Sequence, residues 1–304
     1  MLRMILAAVW VMTLATGAHA KRLPKMTNSV GMTLVKIPAG SFMMGDHSCK
    51  EAPKMCPDPF DKTKWVPCKD DSKVLKCDGE TNERPLHKVT LTKPLWVMTT
   101  EVTQRQFYEV MGGNPSHFTS DKLGYRSENN PVETVSWYDA VSFANKLSDK
   151  EELSRCYSGS GDEILWDKSC KGYRMPTEAE WEYVARARQS TKYAGSDNIE
   201  EVGWYDRNSE QKTHPVGQKK ANAWGLYDMS GNVCEWTWDW LAFDLSERES
   251  VDPTGPNSNP YSSRVVRGGD WVHWFNSQRV ARRVMYSSDT RKYNIGIRLV
   301  RTAQ

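Results

Sequence analysis

Seven cysteines, placed unevenly along 304 residues, constrain this chain more than any other feature of its sequence. Cys49, Cys56, Cys68 and Cys77 crowd together, Cys156 and Cys170 form a second group, and Cys234 stands alone. Two even groups and one odd thiol read as crosslinks plus a spare sulfur, provided the chain folds where thiols are oxidised. The first twenty residues meet that condition. Arg3 precedes an apolar run from about Ile5 to Leu14, and Ala18-His19-Ala20 completes the small-x-small pattern of a cleaved export signal. Residues 1–20 are read as a signal peptide, with the mature chain beginning near Lys21 in the periplasm or outside the cell.

Cys156 and Cys170 enclose a short polar loop, and closing a loop of that size is worth about 3 kcal/mol in the chain-entropy picture. That pair is expected to be bonded. The four clustered cysteines allow three pairings, and the sequence does not choose among them. Their spacings of 7, 12 and 9 contain no CxxC knuckle, which argues against a metal cluster. Cys234, inside Asn232-Val233-Cys234-Glu235-Trp236, reads as a small buried apolar residue rather than a nucleophile.

The apolar run near the start is too short to cross a bilayer as a helix, and no other stretch is long and uncharged enough, so no membrane anchor is expected. Forty-one basic residues stand against 38 acidic ones, a balance that gives no reason to expect nucleic acid as a partner. Residues 21–304 are read as a single domain carrying a cysteine-rich surface insertion at about 46–83, where Lys, Asp and Pro replace large aliphatics. Residues 29–45 alternate around Pro38-Ala39-Gly40 and predict a β-hairpin, His87 to Val97 resumes strand character, and Ile295 to Val300 is a last strand. Thr103-x-x-Gln106, Ser136-x-x-Asp139 and Thr177-x-x-Glu180 predict three capped helices. Core stripes follow two of the caps: Ala140, Phe143, Ala144 and Leu147, then Trp181, Val184 and Ala185. Beyond Ala187 periodicity fades into long loops rich in Gly, Asn, Pro and Trp.

The blocks GMTLVKIPAGSFMMG, EVTQRQFYEVM, NPVETVSWYDAVSFANKLS, YRMPTEAEWEYVARA, NAWGLYDMSGNVCEW, VVRGGDW and IGIRLV occur in an order that closely resembles the formylglycine-generating, or sulfatase-modifying-factor, family. The resemblance implies an α+β fold related to the C-type lectins, with modest regular secondary structure and long ordered loops. It also implies what is missing. In members that make formylglycine, two cysteines in the loop after the paired glycines bind copper(I) and activate oxygen, oxidising a substrate cysteine to an aldehyde. The corresponding stretch here, Gly268 to Arg279, holds no cysteine, and His273 and Gln278 fall near the two positions by counting. Copper(I) needs soft sulfur. No copper is expected, and formylglycine synthesis is not expected either.

A calcium site carries over better by the same resemblance, onto Asp228, Gly231, Val233 and Glu235, where two acidic side chains and the carbonyls of a tight turn suit a hard cation. A turn held by Asn232 and an ordinary salt bridge is the simpler alternative. The family's second calcium loop is shortened around Asn208 to Thr213 and is not transferred. The working surface is expected on the loop face, at Asp270, Trp271, His273, Trp274, Phe275 and Asn276, with Tyr286 and Tyr293 beside them. Aromatic anchors with polar neighbours are what recognition sites use. The expectation is a binding or structural module for a protein, peptide or glycan ligand outside the cytoplasm. Its rival is a cysteine-independent oxidoreductase of the same family, although the remaining histidines show no metal-binding spacing. The Arg279, Arg282, Arg283, Arg291 and Arg298 series could grip an anion, but the resemblance implies buried structural pairing with Asp and Glu instead.

Overall fold

The computed structural model describes residues 22–57, 63–68, 73–242, 250–258 and 261–303. The signal-peptide reading of residues 1–20 lies outside them. Five helices are present among these residues: α1 (Gln104–Met111), α2 (Ser120–Leu123), α3 (Trp137–Lys150), α4 (Glu178–Arg186) and α5 (Ile199–Val202). Helices α1, α3 and α4 begin at Thr103, Ser136 and Thr177 with the capping boxes read from the sequence. Each hydroxyl accepts the backbone N–H three residues on, and the side chain there reaches back to the cap, so two orphan donors are satisfied. The stripe Ala140, Phe143, Ala144 and Leu147 is buried, and Phe143 stacks on Phe107 at 5.1 Å to dock α3 on α1.

Helix α4 is buried on every side, more than its Trp181, Val184 and Ala185 stripe implies. Its acids are matched from outside the helix or one turn along it. Glu178 is bound by Arg283 through bonds of 2.6 and 2.7 Å, Glu180 by Arg174, and Glu182 by both Arg186 and Arg267. Arg279 pairs with Glu83, Arg282 with Glu80 and Arg291 with Asp139, so the arginine series is structural pairing, as expected.

One antiparallel sheet runs in the order Lys25–Thr27, Thr33–Ile37, Leu95–Met98, Val300–Thr302. A second runs Val284–Ser287, Ser263–Arg267, Cys234–Trp240, Ile295–Gly296, its last pair parallel. A third joins Ser250–Val251, His87–Leu91 and Gly40–Met44. The expected hairpin at 29–45 does not form. Thr33–Ile37 pairs with Leu95–Met98 while Gly40–Met44 pairs with His87–Leu91, so Pro38-Ala39 carries the chain between sheets. Helix α4 pins that corner: Tyr183 donates its hydroxyl to the Pro38 carbonyl at 3.1 Å, and a Cβ on residue 40 would lie 2.6 Å from that oxygen. The runs 87–97 and 295–300 divide between sheets in the same way.

Cys156–Cys170 is bonded as expected. The clustered four pair as Cys49–Cys77 around Cys56–Cys68, closing two nested ladders, Lys50–Pro53 with Lys73–Lys76 and Met55–Pro57 with Trp65–Pro67. Asp46 and Glu83, at the two ends of this stretch, are buried, so its roots belong to the body of the protein. No helix among the described residues is long and apolar enough to cross a membrane.

Candidate functional site

The turn leading into strand Cys234–Trp240 is wound through left-handed backbone at Asp228, Gly231 and Asn232. Gly231 is required there, since a Cβ would fall 2.2 Å from the Trp204 carbonyl oxygen. Asn232 accepts the His214 N–H at 3.0 Å and donates to the His214 carbonyl and to Glu101, both at 3.1 Å. Glu101 in turn accepts the Val233 N–H at 3.1 Å. Glu235 takes Arg298 through three contacts of 2.7 to 3.0 Å and the Trp181 indole N–H at 2.6 Å. Asp228 accepts the Gly217 N–H through Oδ2 at 2.7 Å, while its Oδ1 is buried without a hydrogen-bond partner.

Three buried carboxylates therefore face one buried guanidinium. Burial pushes the Glu101 carboxyl well above its ordinary range, with Asp228 and Glu235 adding to the rise, and pushes Asp228 up to about 6. The structure brings Asp228, Gly231, Val233 and Glu235 into one turn, adds Glu101, which the sequence did not single out, and gives Arg298, expected only to pair with some acid, Glu235 as its partner. Asn232 and the Glu235–Arg298 pair also do the structural work of the simpler alternative. Nothing in the local pattern around Glu101 marks it, because its partners lie more than a hundred residues away.

Above this turn lies the loop that follows Gly268 and Gly269. Asp270 is buried beneath it and accepts the backbone N–H of Val272 and of His273, the Asn294 amide at 2.8 Å, and the His273 Nδ1 at 2.7 and 2.9 Å. The bond to Asp270 raises the His273 pKa above that of a free imidazole. Gln278, fully buried, donates to the carbonyls of Asp270 and His273 at 2.9 Å and of Trp274 at 3.3 Å, knotting the loop from within. Cys234 lies below, its Sγ 3.1 Å from the Asn294 carbonyl oxygen. Burial, with Asp270 second, drives its thiol pKa up, so it holds no thiolate at neutral pH.

Of the six loop residues singled out in the sequence, Asp270 and Trp271 are framework. Trp271 is buried, donates to the Tyr293 carbonyl at 3.2 Å and meets the Phe118 ring edge-on. Phe275 is half-buried against Tyr193, Ile199, Val202 and Tyr205. His273, Trp274 and Asn276 are exposed. Trp274 is 60% exposed, beside Val272 at 39% and Tyr293 at 46%. Arg207 lies over the Trp274 ring at 5.3 Å. It comes from the segment after α5, which is tied to the loop by the Asp206 N–H on the His273 carbonyl and the Ser209 hydroxyl on the Trp271 carbonyl. Arg207 and Gln278 carried no sequence signal for these roles. The face offers an exposed indole and a guanidinium for recognition, and an imidazole whose Nδ1 is fixed by a carboxylate.

The sequence profile of the sulfatase-modifying factor enzyme 1-like domain matches residues 20–303. The chain is 35% identical over 237 residues to the chaperone protein LppX of Paenibacillus barcinonensis, covering 66% of this chain and 78% of that one. It is 32% identical to the formylglycine-generating enzyme of Streptomyces coelicolor, over 58% of this chain and 54% of that one. Among solved structures, Treponema denticola variable protein 1 superposes with a TM-score of 0.72 and 31% identity, over 92% of this chain and 99% of that one. PvdO from Pseudomonas aeruginosa shares the fold, with a TM-score of 0.68 and 24% identity over 93% and 99% of the two chains.

Proposed function

The chain belongs to the sulfatase-modifying-factor family, and we propose that within it the protein is an exported binding module rather than a maker of formylglycine. The observation that carries this reading is Trp274, a large apolar ring held out to solvent on a loop whose backbone Asp270 and Gln278 lock from beneath. An exposed aromatic on a rigid support keeps its area for a partner and loses little freedom on binding. The position of one family cysteine is taken, by counting, by Gln278, whose amide is committed to backbone carbonyls; the other falls near His273, a harder ligand than sulfur. The partner is a protein, peptide or glycan that presents a ring or sugar face to Trp274 and a polar group to Arg207 and Asn276. Three disulfides support a periplasmic or extracellular setting.

Calcium is the cation the turn beneath this face would take. The buried, unpartnered Oδ1 of Asp228 and the excess of carboxylates over guanidinium fit a hard divalent ion. Asp228 and Glu101 would hold it with the carbonyls of Gly231 and Val233, and Glu235 would join only by sharing with Arg298. When bound, the ion neutralises the turn that supports strand Cys234–Trp240; it takes no part in a reaction.

The test is capture on peptide and glycan arrays by the oxidised parent and by a Trp274→Ala variant of equal melting temperature. Binding lost in the variant supports the reading, and binding that survives there removes it. A cysteine-independent oxidoreductase is the second reading, favoured by the Asp270–His273 pair. Stoichiometric iron or copper in the purified protein, absent from a His273→Ala variant, would put it first.

A further inference from the structure

Away from the loop face, a cavity of about 560 Å³ opens between the ladder closed by Cys49–Cys77 and the segment following α4. Its fixed cations are already neutralised, Arg186 by Glu182 and Arg279 by Glu83. Its acids are engaged too. Glu51 binds Lys73 at 2.9 Å, Asp78 faces Lys192 at 3.7 Å, Asp46 accepts the N–H groups of Ser48 and Gly79, and Asp197 accepts that of Lys192. Two lining cations are not engaged. Lys50 and Lys76 stand directly opposite each other in the ladder and have neither an ion-pair nor a hydrogen-bond partner among the described residues.

Opposite residues in an antiparallel pair project from the same face with Cβ atoms about 5 Å apart. The Cys49–Cys77 bond sits one residue beyond the pair and holds the register there, so both lysine side chains leave the ladder from the same face. Like charges so placed repel, and no carboxylate among the described residues pairs with either of them. We propose that this cavity is an oxyanion-binding site, in which Lys50 and Lys76 together grip the carboxylate or sulfate group of a small polar ligand such as an acidic sugar. The volume lies within the range of small-ligand sites, which runs to about 1,000 Å³. Two ammonium groups match the two or more oxygens of such a group, each through a charge-assisted hydrogen bond. Lys192 borders the cavity and also reaches Asn276 at 3.4 Å, so the site adjoins the loop face without sharing Trp274.

Calorimetric titration of the full oxidised chain at low salt with glucuronate, glucose 6-sulfate and glucose tests this. Saturable binding of either acidic sugar but not of glucose is expected, and the two acids separate carboxylate from sulfate recognition. Lys50→Met and Lys76→Met, which keep the apolar stems, are each expected to weaken binding about tenfold. Lys50→Arg retains it. The Trp274→Ala variant binds like the parent, which separates this site from the loop face. Absence of binding by both acids, or unchanged affinity in the Lys50→Met/Lys76→Met double variant with its three disulfides intact, overturns the proposal.

Discussion

Replacing Asp228 by alanine should abolish a stabilisation by calcium that the parent protein shows. The turn holds Glu101, Asp228 and Glu235, while Arg298 is the cation that reaches it, and Arg298 is committed to Glu235. Glu101 and Asp228 are left to share a site with an unpartnered carboxylate oxygen and no positive charge of their own. Two carboxylates plus carbonyls resemble the weaker calcium modules found outside cells, with Kd on the order of 10⁻⁴ to 10⁻³ M. At about 10 mM calcium the ion is then at roughly 10 to 100 times its Kd, which adds about 1.4 to 2.7 kcal/mol. For a chain of this size that is a rise of roughly 3 to 10 °C in melting temperature. Scanning calorimetry in calcium, in magnesium and in chelator measures it. Magnesium should do little, because it gives up its waters reluctantly. Asp228→Ala loses the Gly217 hydrogen bond but sheds a desolvated charge, so its melting temperature in chelator should move little while its calcium response disappears. Glu235→Ala is the worse probe: it strands Arg298 unpaired and costs about 3–5 kcal/mol with or without calcium. A parent that melts at the same temperature in calcium and chelator, or an Asp228→Ala variant that responds like the parent, refutes the argument.

Three further outcomes are expected. Cys156→Ser with Cys170→Ser should lower stability in a denaturant titration by about 3 kcal/mol, the loop-closure entropy of residues 14 apart in sequence. Asp239, buried, beside Glu178 and accepting the Glu178 N–H at 2.7 Å, has its carboxyl pushed up to about 8. The native state therefore keeps a proton that the unfolded chain releases above about pH 4, and stability falls as pH rises from there to about 8. The decline approaches about 1.4 kcal/mol per pH unit near pH 6 and should be absent in Asp239→Asn; equal slopes in the two proteins would contradict it. Thr177→Ala removes one half of the α4 capping box and should cost about 1 kcal/mol by thermal unfolding.

What was legible in the sequence was what local chemistry decides. A hydroxyl three residues before a Gln, Asp or Glu reports a helix start whatever the tertiary fold, and all three helices begin where their caps say. Cys156 and Cys170, isolated from the rest, had no other partner to choose. The nested pairing of the other four was not legible, because it depends on the register of two ladders that share no sequence signal. The hairpin at 29–45 failed for a related reason. Alternation says which face of a strand is buried but not which strand pairs with it, and Tyr183, from a helix 145 residues away, turns the chain at Pro38.

The candidate site divides along the same line. The resemblance supplied Asp228 to Glu235 and Asp270 to Asn276 as two separate candidates, and the structure joins them through the Gly231 N–H on the Gly268 carbonyl and the Trp271 N–H on the Asn232 carbonyl. Which of them face solvent was not readable, since Asp270 and Trp271 are buried by Asn294, Phe118 and Tyr293, and Phe275 by a cluster around Tyr193. Glu101 was missed, and Arg298 was expected to pair without its partner being named, because a buried charge declares itself only beside its partner. The arginines that looked able to hold an anion are paired with acids, while in the cavity lining the cations without an ion pair among the described residues are Lys50 and Lys76, in the stretch read as a surface insertion.

The proposed binding module keeps the family's fold without the cysteine pair of its formylglycine-generating members. The most direct measurement incubates the oxidised protein with copper(I), oxygen and a cysteine-containing sulfatase peptide, and follows the peptide by mass spectrometry beside a cysteine-bearing formylglycine-generating enzyme. The account predicts an unmodified peptide, and copper that a mild chelator strips away. Conversion of the peptide cysteine to an aldehyde at a rate approaching that of the enzyme would contradict it.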